Sequence, residues 1–534
     1  MGGGHSVRPK AQGFKGEAIG LPCVASTGSE DDEADFAMGE HWTPLDDAIV
    51  LIYIVGTLAM GWIVSRRIRS FEDFFLAGRA LTTPLLVGGL VATYYGLDVT
   101  FGSSETAYYE GISTFFAYSA PFYVAYLLVA TVIAPRVHGV EAFSLPDIMD
   151  RFYGKTARWT TAAAAAFYSL PILSVFGMGL LGSLLFGWPP IVGALIGGAI
   201  ACVYTIMGGL LADSLTDTVQ FALMAITAAI ACGIAMSKIG GYEFLKTNLD
   251  APELFHPLGT LSVADLLVYG LIALSPLVEP AFYQRILAAK SARSVRNALL
   301  IGIALWVAFD WVVVYLGMVG RYQVEAGILP SDLDPSSILL SVVATLLPTG
   351  LIGLFAIGLI ATAMSTIDSY ALIAAGSIVR DGVPMFRRRP LSARATLFWT
   401  RVCVALTILV SLLLALRFER IRDAWIFMAS ILVSTVLIPL MVALLRPQWA
   451  TRRAGSWGCA TGFIGALTLF VAFETVGVYD PEMESRGFQV ANIWIYREHA
   501  ILFTVPLACA AFCLGRAADL SAGKDPTPTG APAE

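Results

Sequence analysis

Thirteen apolar runs, each long enough to form a membrane-spanning helix, constrain the fold of this chain more than any other feature. A helix needs about 20 mostly apolar residues to cross about 30 Å of hydrocarbon. The runs lie at 46–66, 82–107, 114–135, 156–184, 188–207, 212–237, 262–285, 293–320, 349–381, 394–418, 421–446, 454–476 and 498–516. They do not alternate polar and apolar residues as the strands of a transmembrane barrel do. The sequence therefore predicts an all-α membrane protein with thirteen transmembrane helices.

The composition agrees with a membrane protein and narrows the chemistry. Charged residues make up 14% of the 534 residues, whereas soluble globular proteins carry about 25%. The net charge of −6 is small and argues against nucleic acid as a partner. All five histidines lie outside the apolar runs or at their edges, and no phosphate-binding P-loop motif occurs. We therefore expect neither an enzyme nor an organic cofactor.

The two ends of the chain differ from its apolar centre. Residues 1–43 are polar and acidic and lack the apolar segment of a signal peptide, so we expect either a disordered leader outside the cell or a translation start that lies further downstream. Residues 517–534 are expected to form a disordered cytoplasmic tail, which leaves 44–516 as the transmembrane domain. Lys and Arg are concentrated in alternate loops, which predicts a multi-pass protein of the cell (inner) membrane with its N-terminus outside.

Five segments follow one another in an order that identifies a family: "SFEDFFLAGRALTTPLLVGGLVATYYGLDVTFGSSE", "FSLPDIMDRFYG", "GGLLADSLTDTVQ", "YQRILAAKSARS" and "SIVRDG". Together they resemble the sodium:solute symporter family over roughly residues 44–446. Its members carry sugars, amino acids, sialic acid, choline, pantothenate or anions. The resemblance implies a LeuT-type architecture of two inverted five-helix repeats, about 82–237 and 262–446, with one extra N-terminal and two extra C-terminal helices. Ligands would bind near the midplane, where the first helix of each repeat is broken.

The sequence independently permits breaks in the first helix of each repeat. Gly88, Gly89 and Gly96 interrupt the second apolar run, and Pro276 and Pro280 interrupt the seventh. Both residue types free backbone carbonyls, which are tolerated in lipid only where they line a cavity. The alternative for either run is a kinked helix that only packs against its neighbours.

A line of hydroxyl groups predicts a sodium site in the ninth run. Thr362, Ser365 and Thr366 are spaced so that they share one helix face. The resemblance implies that Ser365 and Thr366 bind sodium through their side chains, and that Thr362, Ala92 and Tyr95 bind it through their carbonyls. The alternative is that these hydroxyls bond to carbonyls of their own helix, as single Ser and Thr residues in membrane helices mostly do.

The resemblance also implies a second cation or proton site. Asp217 matches an acid that some relatives pair with hydroxyls at the positions of Ser365, Asp368 and Ser369. This chain departs from those relatives because Asp368 stands where they have a hydroxyl. Two carboxylates facing one site would hold a cation or share a proton. The alternative for Asp368 is an ordinary hydrogen bond between helices.

Acidic and aromatic residues near the predicted breaks indicate the substrate. The predicted cavity residues are Tyr94, Asp98, Glu279, Phe282, Asp310 and Trp425. We expect no Lys or Arg deep in the spans, so the acids should be protonated, ion-bound or paired with a positive group of the ligand. Aromatic faces also suit an ammonium group. The hypothesis is an organic solute with a cationic nitrogen: an amino acid, a betaine-like compound or an amine. Alternatively, some of these acids face other helices or the outer vestibule.

These features predict a sodium-coupled secondary active symporter that imports a small organic solute by alternating access. Its partners would be the solute, sodium ions as coupling ions and the lipid bilayer, and we expect it to function as a monomer. Two alternatives stay open. The chain could be a transporter-like membrane sensor that signals to a separate partner, or a symporter of a sugar or monocarboxylate.

Overall fold

The structure, a computed structural model, describes residues 42–523 except 67, 141, 349, 387–390, 416–420, 481–484 and 491–492. Of residues 98, 385–386, 421–424, 490 and 493 it describes the backbone only. The predicted leader, apart from residues 42 and 43, and the tail beyond residue 523 therefore lie outside the described residues.

The described chain is mostly α-helical. The helices of its first part are α1 (Pro44–Ser65), α2 (Phe71–Leu76), α3 (Thr83–Tyr94), α4 (Leu97–Glu110), α5 (Ala120–Leu128), α6 (Ala134–His138), α7 (Leu145–Tyr153), α8 (Lys155–Tyr168), α9 (Ile172–Phe186), α10 (Pro190–Lys238) and α11 (Tyr242–Asn248). Those of its second part are α12 (Val263–Ile272), α13 (Pro280–Ala288), α14 (Ala292–Glu325), α15 (Ile338–Leu346), α16 (Leu351–Gly376), α17 (Val383–Phe386), α18 (Ala393–Ala415), α19 (Ile421–Leu445), α20 (Arg452–Val476) and α21 (Ile501–Ser521). Three antiparallel strands lie between the last two helices: β1 (Val478–Asp480), β2 (Ser485–Val490) and β3 (Ile493–Tyr496).

Eleven helical segments of the described chain are long and apolar enough to cross a membrane, and the bent pair α3 and α4 makes a twelfth. The predicted count of thirteen is not reached, because the predicted spans 188–207 and 212–237 fall in one 49-residue helix, α10, which begins at Pro190. Their predicted connection, "GGLL", is short and apolar, and the chain stays helical through it with a kink at Gly209 (φ 54°, ψ −163°). A Cβ there would lie 2.5 Å from the carbonyl oxygen of Phe74, so only glycine permits both the positive φ and this contact.

Both predicted helix breaks are present. The chain leaves the helical conformation at Tyr95 and Gly96, where α3 ends and α4 begins at an angle of 50°. The second break separates α12 from α13 and contains Pro276 within a short 3₁₀ turn, while Pro280 is the first residue of α13.

The prediction that Gly88 and Gly89 interrupt a helix is wrong. Both lie inside α3, where they permit close packing against the neighbouring helices. A Cβ on Gly88 would lie 2.6 Å from the Cα of Thr218 on α10, and one on Gly89 would lie 3.3 Å from Nε of Arg285. The two glycines therefore allow α3 to pack closely against its neighbours and do not break the helix.

Helix α16 lies at the centre of the bundle. In the most apolar stretch of 18 residues within Leu351–Gly382, 89% of the residues are buried inside the protein. The corresponding fraction for α1 is 22%. It packs against α10, α1, α18 and α9. Its N-terminus is capped from another helix, because Oδ1 of the buried Asp46 on α1 accepts a hydrogen bond from the backbone N–H of Gly353 (2.9 Å). The hydroxyl-bearing segment is therefore held in the protein interior, away from lipid.

Two of the five sequence segments that resemble the family meet in a network of ion pairs at one end of the bundle. Arg158 on α8 contacts Asp381 (2.9 Å) and Asp150 (2.9 Å), and Arg380 contacts Asp147 (2.8 Å). Asp147 and Asp150 belong to "FSLPDIMDRFYG", and Arg380 and Asp381 belong to "SIVRDG". In the described chain these ion pairs connect the start of the α7–α8 unit to the segment that follows α16, and they hold the two parts of the bundle together.

The sequence did not predict the three-stranded sheet. Strand β2 pairs with both neighbours, for example through Gly487 and Val478 and through Phe488 and Ile495. The strands, of three to six residues, are too short to give a membrane-spanning pattern, so the apolar runs indicate no element between the last two spans. The last helix also continues to Ser521, beyond the predicted end of its span at residue 516.

Candidate functional site

Hydroxyl and carbonyl oxygens converge where the end of α3 meets the middle of α16. Oγ of Ser365 donates hydrogen bonds to the carbonyl oxygens of Ala92 (3.1 Å) and Thr362 (3.0 Å). Oγ1 of Thr366 donates to the carbonyl oxygens of Thr93 (3.3 Å) and Thr362 (3.1 Å). The two hydroxyls therefore bond within their own helix, as the alternative interpretation expects, and also reach the break between α3 and α4. Oxygen atoms alone make this cluster, which suits a hard cation.

Of the five predicted sodium ligands, the structure brings four together. The fifth, Tyr95, lies at the break, but its carbonyl takes no part in the hydrogen bonds that join the other four. Its side-chain hydroxyl donates a hydrogen bond to Asp310. The carbonyl of Thr93, which the sequence analysis did not single out, lies beside Thr366 instead.

A buried arginine lies beside the predicted second site, and the expectation that no Lys or Arg lies deep in the spans is wrong. The side chain of Arg285 on α13 is 1% exposed, and its Nη2 contacts Asp213 (3.4 Å) and Asp217 (3.6 Å) on α10. The same nitrogen donates hydrogen bonds to the hydroxyls of Ser369 (2.8 Å) and Thr93 (2.6 Å). Ser369 in turn donates to the carboxylate of Asp213. One guanidinium therefore links α3, α10, α13 and α16.

Asp368 has a different partner from its neighbour Ser369. Its Oδ1 accepts a hydrogen bond from Thr205 on α10 (2.9 Å), which is the helix-to-helix bond of the alternative interpretation. Its Oδ2 and Oδ1 of Asp217 are both buried and have no hydrogen-bond partner among the described residues. The cluster thus holds three carboxylates and one guanidinium, with two carboxylate oxygens still available for a ligand.

A cavity of about 80 Å³ opens beside the break between α3 and α4. Four of the six predicted substrate-cavity residues line it, namely Tyr94, Glu279, Asp310 and Trp425. Its other aromatic lining residues are Tyr95, Tyr118, Phe122, Tyr123, Tyr126, Tyr168, Trp306 and Tyr370. The cavity therefore has mainly aromatic walls with two carboxylates.

Each of the two carboxylates is held by a pair of tyrosine hydroxyls. The donors are Tyr168 (2.5 Å) and Tyr370 (2.9 Å) for Glu279, and Tyr95 and Tyr123 for Asp310. The two acids are 2% and 3% exposed, so water does not solvate them freely. Glu279 immediately precedes α13 and Asp310 lies within α14, and their tyrosine partners come from α8, α16, α5 and the break after α3. The carboxylates thus lie where several helices meet.

Two predicted cavity residues do not line the cavity as described. Phe282 is fully buried behind it and stacks on Tyr94, with ring centroids 4.2 Å apart. It therefore supports a wall without contacting the interior. The side chain of Asp98 lies outside what the structure describes.

Comparison with known proteins agrees with this architecture. Residues 74–462 match the sodium:solute symporter family. An osmoregulated proline transporter of Bacillus subtilis (strain 168) is 25% identical over 459 residues, which cover 80% of this chain and 90% of that protein. The sodium/proline symporter of Escherichia coli (strain K12) is 26% identical over 456 residues, which cover 80% and 88% respectively. A Na⁺-coupled sialic acid symporter, solved in a substrate-bound outward-open state, matches with a TM-score of 0.75 and 15% identity over 89% of this chain and 98% of that chain.

A helical bundle with two broken spans and a cavity beside the breaks is the architecture of a multi-pass membrane transporter with a LeuT-type fold. The chain belongs to the sodium:solute symporter family. It is a transporter and not an enzyme, and sodium-coupled symport of a small organic solute is the activity that this membership assigns to it.

Proposed function

We propose that the chain imports a small organic solute with a cationic nitrogen, and that sodium bound between α3 and α16 drives this import by alternating access. The observation that carries the proposal is the convergence of the Ser365 and Thr366 hydroxyls on carbonyl oxygens at the α3–α4 break. Carbonyls of unwound helix segments coordinate Na⁺ in transporters of this architecture. The proposed ligands are the side chains of Ser365 and Thr366 and the carbonyls of Ala92, Thr93, Tyr95 and Thr362.

The coupling of sodium to solute follows from the position of Thr93, Tyr94 and Tyr95. The carbonyls of Ala92 and Thr93 belong to the proposed sodium site, whereas Thr93, Tyr94 and Tyr95 also line the cavity. A cation that draws these carbonyls towards α16 also fixes one wall of the cavity. Sodium would then favour the conformation that binds solute, and each ligand would raise the affinity for the other.

A second cation is proposed to bind near Asp217, Asp368 and Ser369. The guanidinium of Arg285 contacts two buried carboxylates, those of Asp213 and Asp217, and Asp368 on α16 adds a third buried carboxylate, so negative charge remains uncompensated. Oδ1 of Asp217 and Oδ2 of Asp368 supply oxygen atoms without a partner in the described chain. Uncompensated buried charge costs several kcal/mol, which favours a bound cation at this position.

The proposed arrangement in the membrane has thirteen crossings and two inverted repeats, about 82–237 and 262–446. A straight 49-residue helix would be about 74 Å long, more than twice the thickness of the hydrocarbon core, so α10 would cross twice around the kink at Gly209. The loops rich in Lys and Arg would face the cytoplasm of the inner membrane, with the N-terminus outside and the C-terminus inside. The unit of transport would be a monomer in the bilayer.

The proposed cargo follows from Glu279 and Asp310. Both are buried carboxylates in an aromatic cavity, a combination that favours an ammonium group over a sugar or a monocarboxylate. Two relatives, each about a quarter identical, are named for proline, which also carries a cationic nitrogen.

Uptake into liposomes tests this proposal. The purified chain would be reconstituted, and uptake of labelled amines, amino acids, sugars and monocarboxylates measured with an inward sodium gradient. We expect accumulation of a nitrogen-bearing solute that stops when an ionophore removes the gradient or when potassium replaces sodium. Equal accumulation in potassium, or accumulation of a sugar or a monocarboxylate alone, would contradict it.

A further inference from the structure

Tyr95 connects two parts of the candidate site, one through its backbone and one through its side chain. Its backbone lies at the break that follows α3, two residues after Thr93, whose carbonyl oxygen lies 3.3 Å from the hydroxyl of Thr366. Its phenol hydroxyl donates a hydrogen bond to Asp310 on α14, and its ring lies edge-on to that of Phe309, with ring centroids 4.2 Å apart. Tyr95 is buried. A displacement of the break therefore moves this hydroxyl relative to Asp310.

Asp310 presents a buried carboxylate to the cavity and is held there by hydroxyl groups. Tyr95 and Tyr123 donate to its two different oxygens, and the hydroxyl of Ser119 lies beside the same carboxylate. Ser119 ends a π-helical turn, Thr114–Ser119, and Tyr123 follows it in α5. Each carboxylate oxygen can accept a second hydrogen bond, and none of the described residues that line the cavity is Lys, Arg or His. A cationic group of the solute is therefore the partner that suits this carboxylate.

We propose that Asp310 binds the ammonium group of the solute and that Tyr95 transmits the binding of sodium to it, an inference that rests on the function proposed above. Sodium between α3 and α16 would fix the carbonyls at the break, and with them the position of the Tyr95 hydroxyl. That hydroxyl holds the Asp310 carboxylate in the orientation that accepts an ammonium group from the cavity. Tyr95 is thus a positioning residue, because it acts on the solute through Asp310.

Tyr123 makes the same kind of contact with Asp310 without a link to the sodium site. Both tyrosines line the cavity, and both donate to the same carboxylate. Tyr123, however, lies on α5, which carries none of the proposed sodium ligands. Replacing either tyrosine by Phe removes one hydroxyl and keeps the ring. The two variants therefore differ in their connection to sodium and not in the number of tyrosine donors left to Asp310.

Binding of butylamine and of L-proline to the purified full chain would be measured by calorimetry, in sodium and in potassium. The ratio of the dissociation constants in the two salts measures the coupling between sodium and the ammonium group. In the parent we expect a ratio of at least about five, the lower end of typical couplings between two sites. In Tyr95→Phe the ratio should fall below about two, whereas Tyr123→Phe should keep the ratio of the parent.

Asp310→Asn tests the ammonium site itself. The amide has nearly the same shape but no charge, so both probes should bind at least about tenfold more weakly in sodium. Sodium binding without a probe, measured as the rise in Tm that sodium produces, should match that of the parent. A packing defect alone would lower Tm in sodium and in potassium by the same amount. Undiminished binding of the probes in Asp310→Asn would overturn the assignment of the ammonium group to this residue.

The outcomes separate this inference from the proposed function. An unchanged ratio in Tyr95→Phe, or equal losses in the two Phe variants, would overturn the role of Tyr95 and leave sodium-coupled symport intact. A parent protein that binds neither probe would overturn the ammonium site, while sodium-driven uptake of another solute into liposomes would still support symport. Probe binding by the parent that is the same in sodium and in potassium would contradict the proposed function together with this inference.

Discussion

Nη2 of Arg285 lies 2.8 Å from the hydroxyl oxygen of Ser369. This contact joins one half of a broken span, α13, to the central helix α16, and the same nitrogen also reaches two carboxylates on α10. The break between α12 and α13 is therefore tied directly to the helix that carries the proposed sodium ligands. A movement of α13 during transport has to break or carry with it these contacts.

Arg285→Gln should destabilise the protein by about 3–5 kcal/mol, because it leaves the buried carboxylates of Asp213 and Asp217 without their charge partner. Adding Asp213→Asn should recover part of this loss, since the double variant has one buried charge fewer. Unfolding of the purified variants with denaturant measures both effects. Arg321→Gln is the matched control, because its ion pair with Glu325 is partly exposed and its loss should change stability by less than about 1 kcal/mol. A double variant that is less stable than Arg285→Gln would show that the guanidinium does not serve to balance Asp213.

Asp46→Ala should lower the free energy of unfolding by about 1–3 kcal/mol. The substitution leaves the N–H of Gly353 at the start of α16 without its acceptor and also removes the cap of α1. Asp47→Ala changes the neighbouring acid, whose partner is the indole of Trp42 near the surface, and should change stability by less than about 0.5 kcal/mol. Thermal unfolding of both variants compares the two positions. Equal losses would mean that capping of α16 from α1 does not stabilise the bundle.

Gly88→Ala should destabilise the protein by about 1–3 kcal/mol, since its Cβ would lie 2.6 Å from the Cα of Thr218 and force α3 away from α10. Gly233→Ala is the control, because Gly233 lies in α10 with open space around its Cα, and alanine favours helix there by about 0.5–1 kcal/mol. Unfolding of the two purified variants by heat in a calorimeter or by denaturant measures both changes in stability. An unchanged free energy of unfolding in Gly88→Ala would contradict the close approach of α3 to α10.

Asp368→Asn tests the proposed second cation. The substitution keeps an oxygen acceptor for Thr205 but removes a buried charge, so stability should be retained while the sodium dependence of uptake becomes less steep. The number of sodium ions moved per solute, measured from the sodium gradient that just balances a solute gradient, should fall from two to one. A variant with the sodium dependence and stoichiometry of the parent would mean that Asp368 only makes its hydrogen bond to Thr205.

The sequence alone predicted the features that depend on residues close together in the chain. Apolar runs of about 20 residues located the spans, and Gly96, Pro276 and Pro280 located the breaks, because backbone geometry at these residues limits the helix itself. The line of Thr362, Ser365 and Thr366 followed from helical spacing. These features depend on residues within a few turns of one another.

The rest depended on tertiary packing that no local pattern specifies. Arg285 stands at the end of an apolar run near other basic residues, where the sequence favours a charge in a loop, whereas the short helix α13 turns it into the protein interior. Asp213 lies one helical turn before Asp217, and this spacing was a usable signal for a second acid on the same face. The tyrosine partners of Glu279 and Asp310 come from distant helices, so only the fold brings them together.

The most direct test of the account is the sodium dependence of solute uptake in the double variant Ser365→Ala/Thr366→Ala. Its matched control is Thr407→Ala/Ser411→Ala on α18, where two buried hydroxyls bond only to carbonyls of their own helix. With two ligand oxygens removed, the sodium concentration for half-maximal uptake should rise by more than about tenfold in the first variant, because a dry site offers no replacement ligands. The control should keep the value of the parent. An unchanged sodium dependence in a folded Ser365→Ala/Thr366→Ala protein would contradict the proposed sodium site.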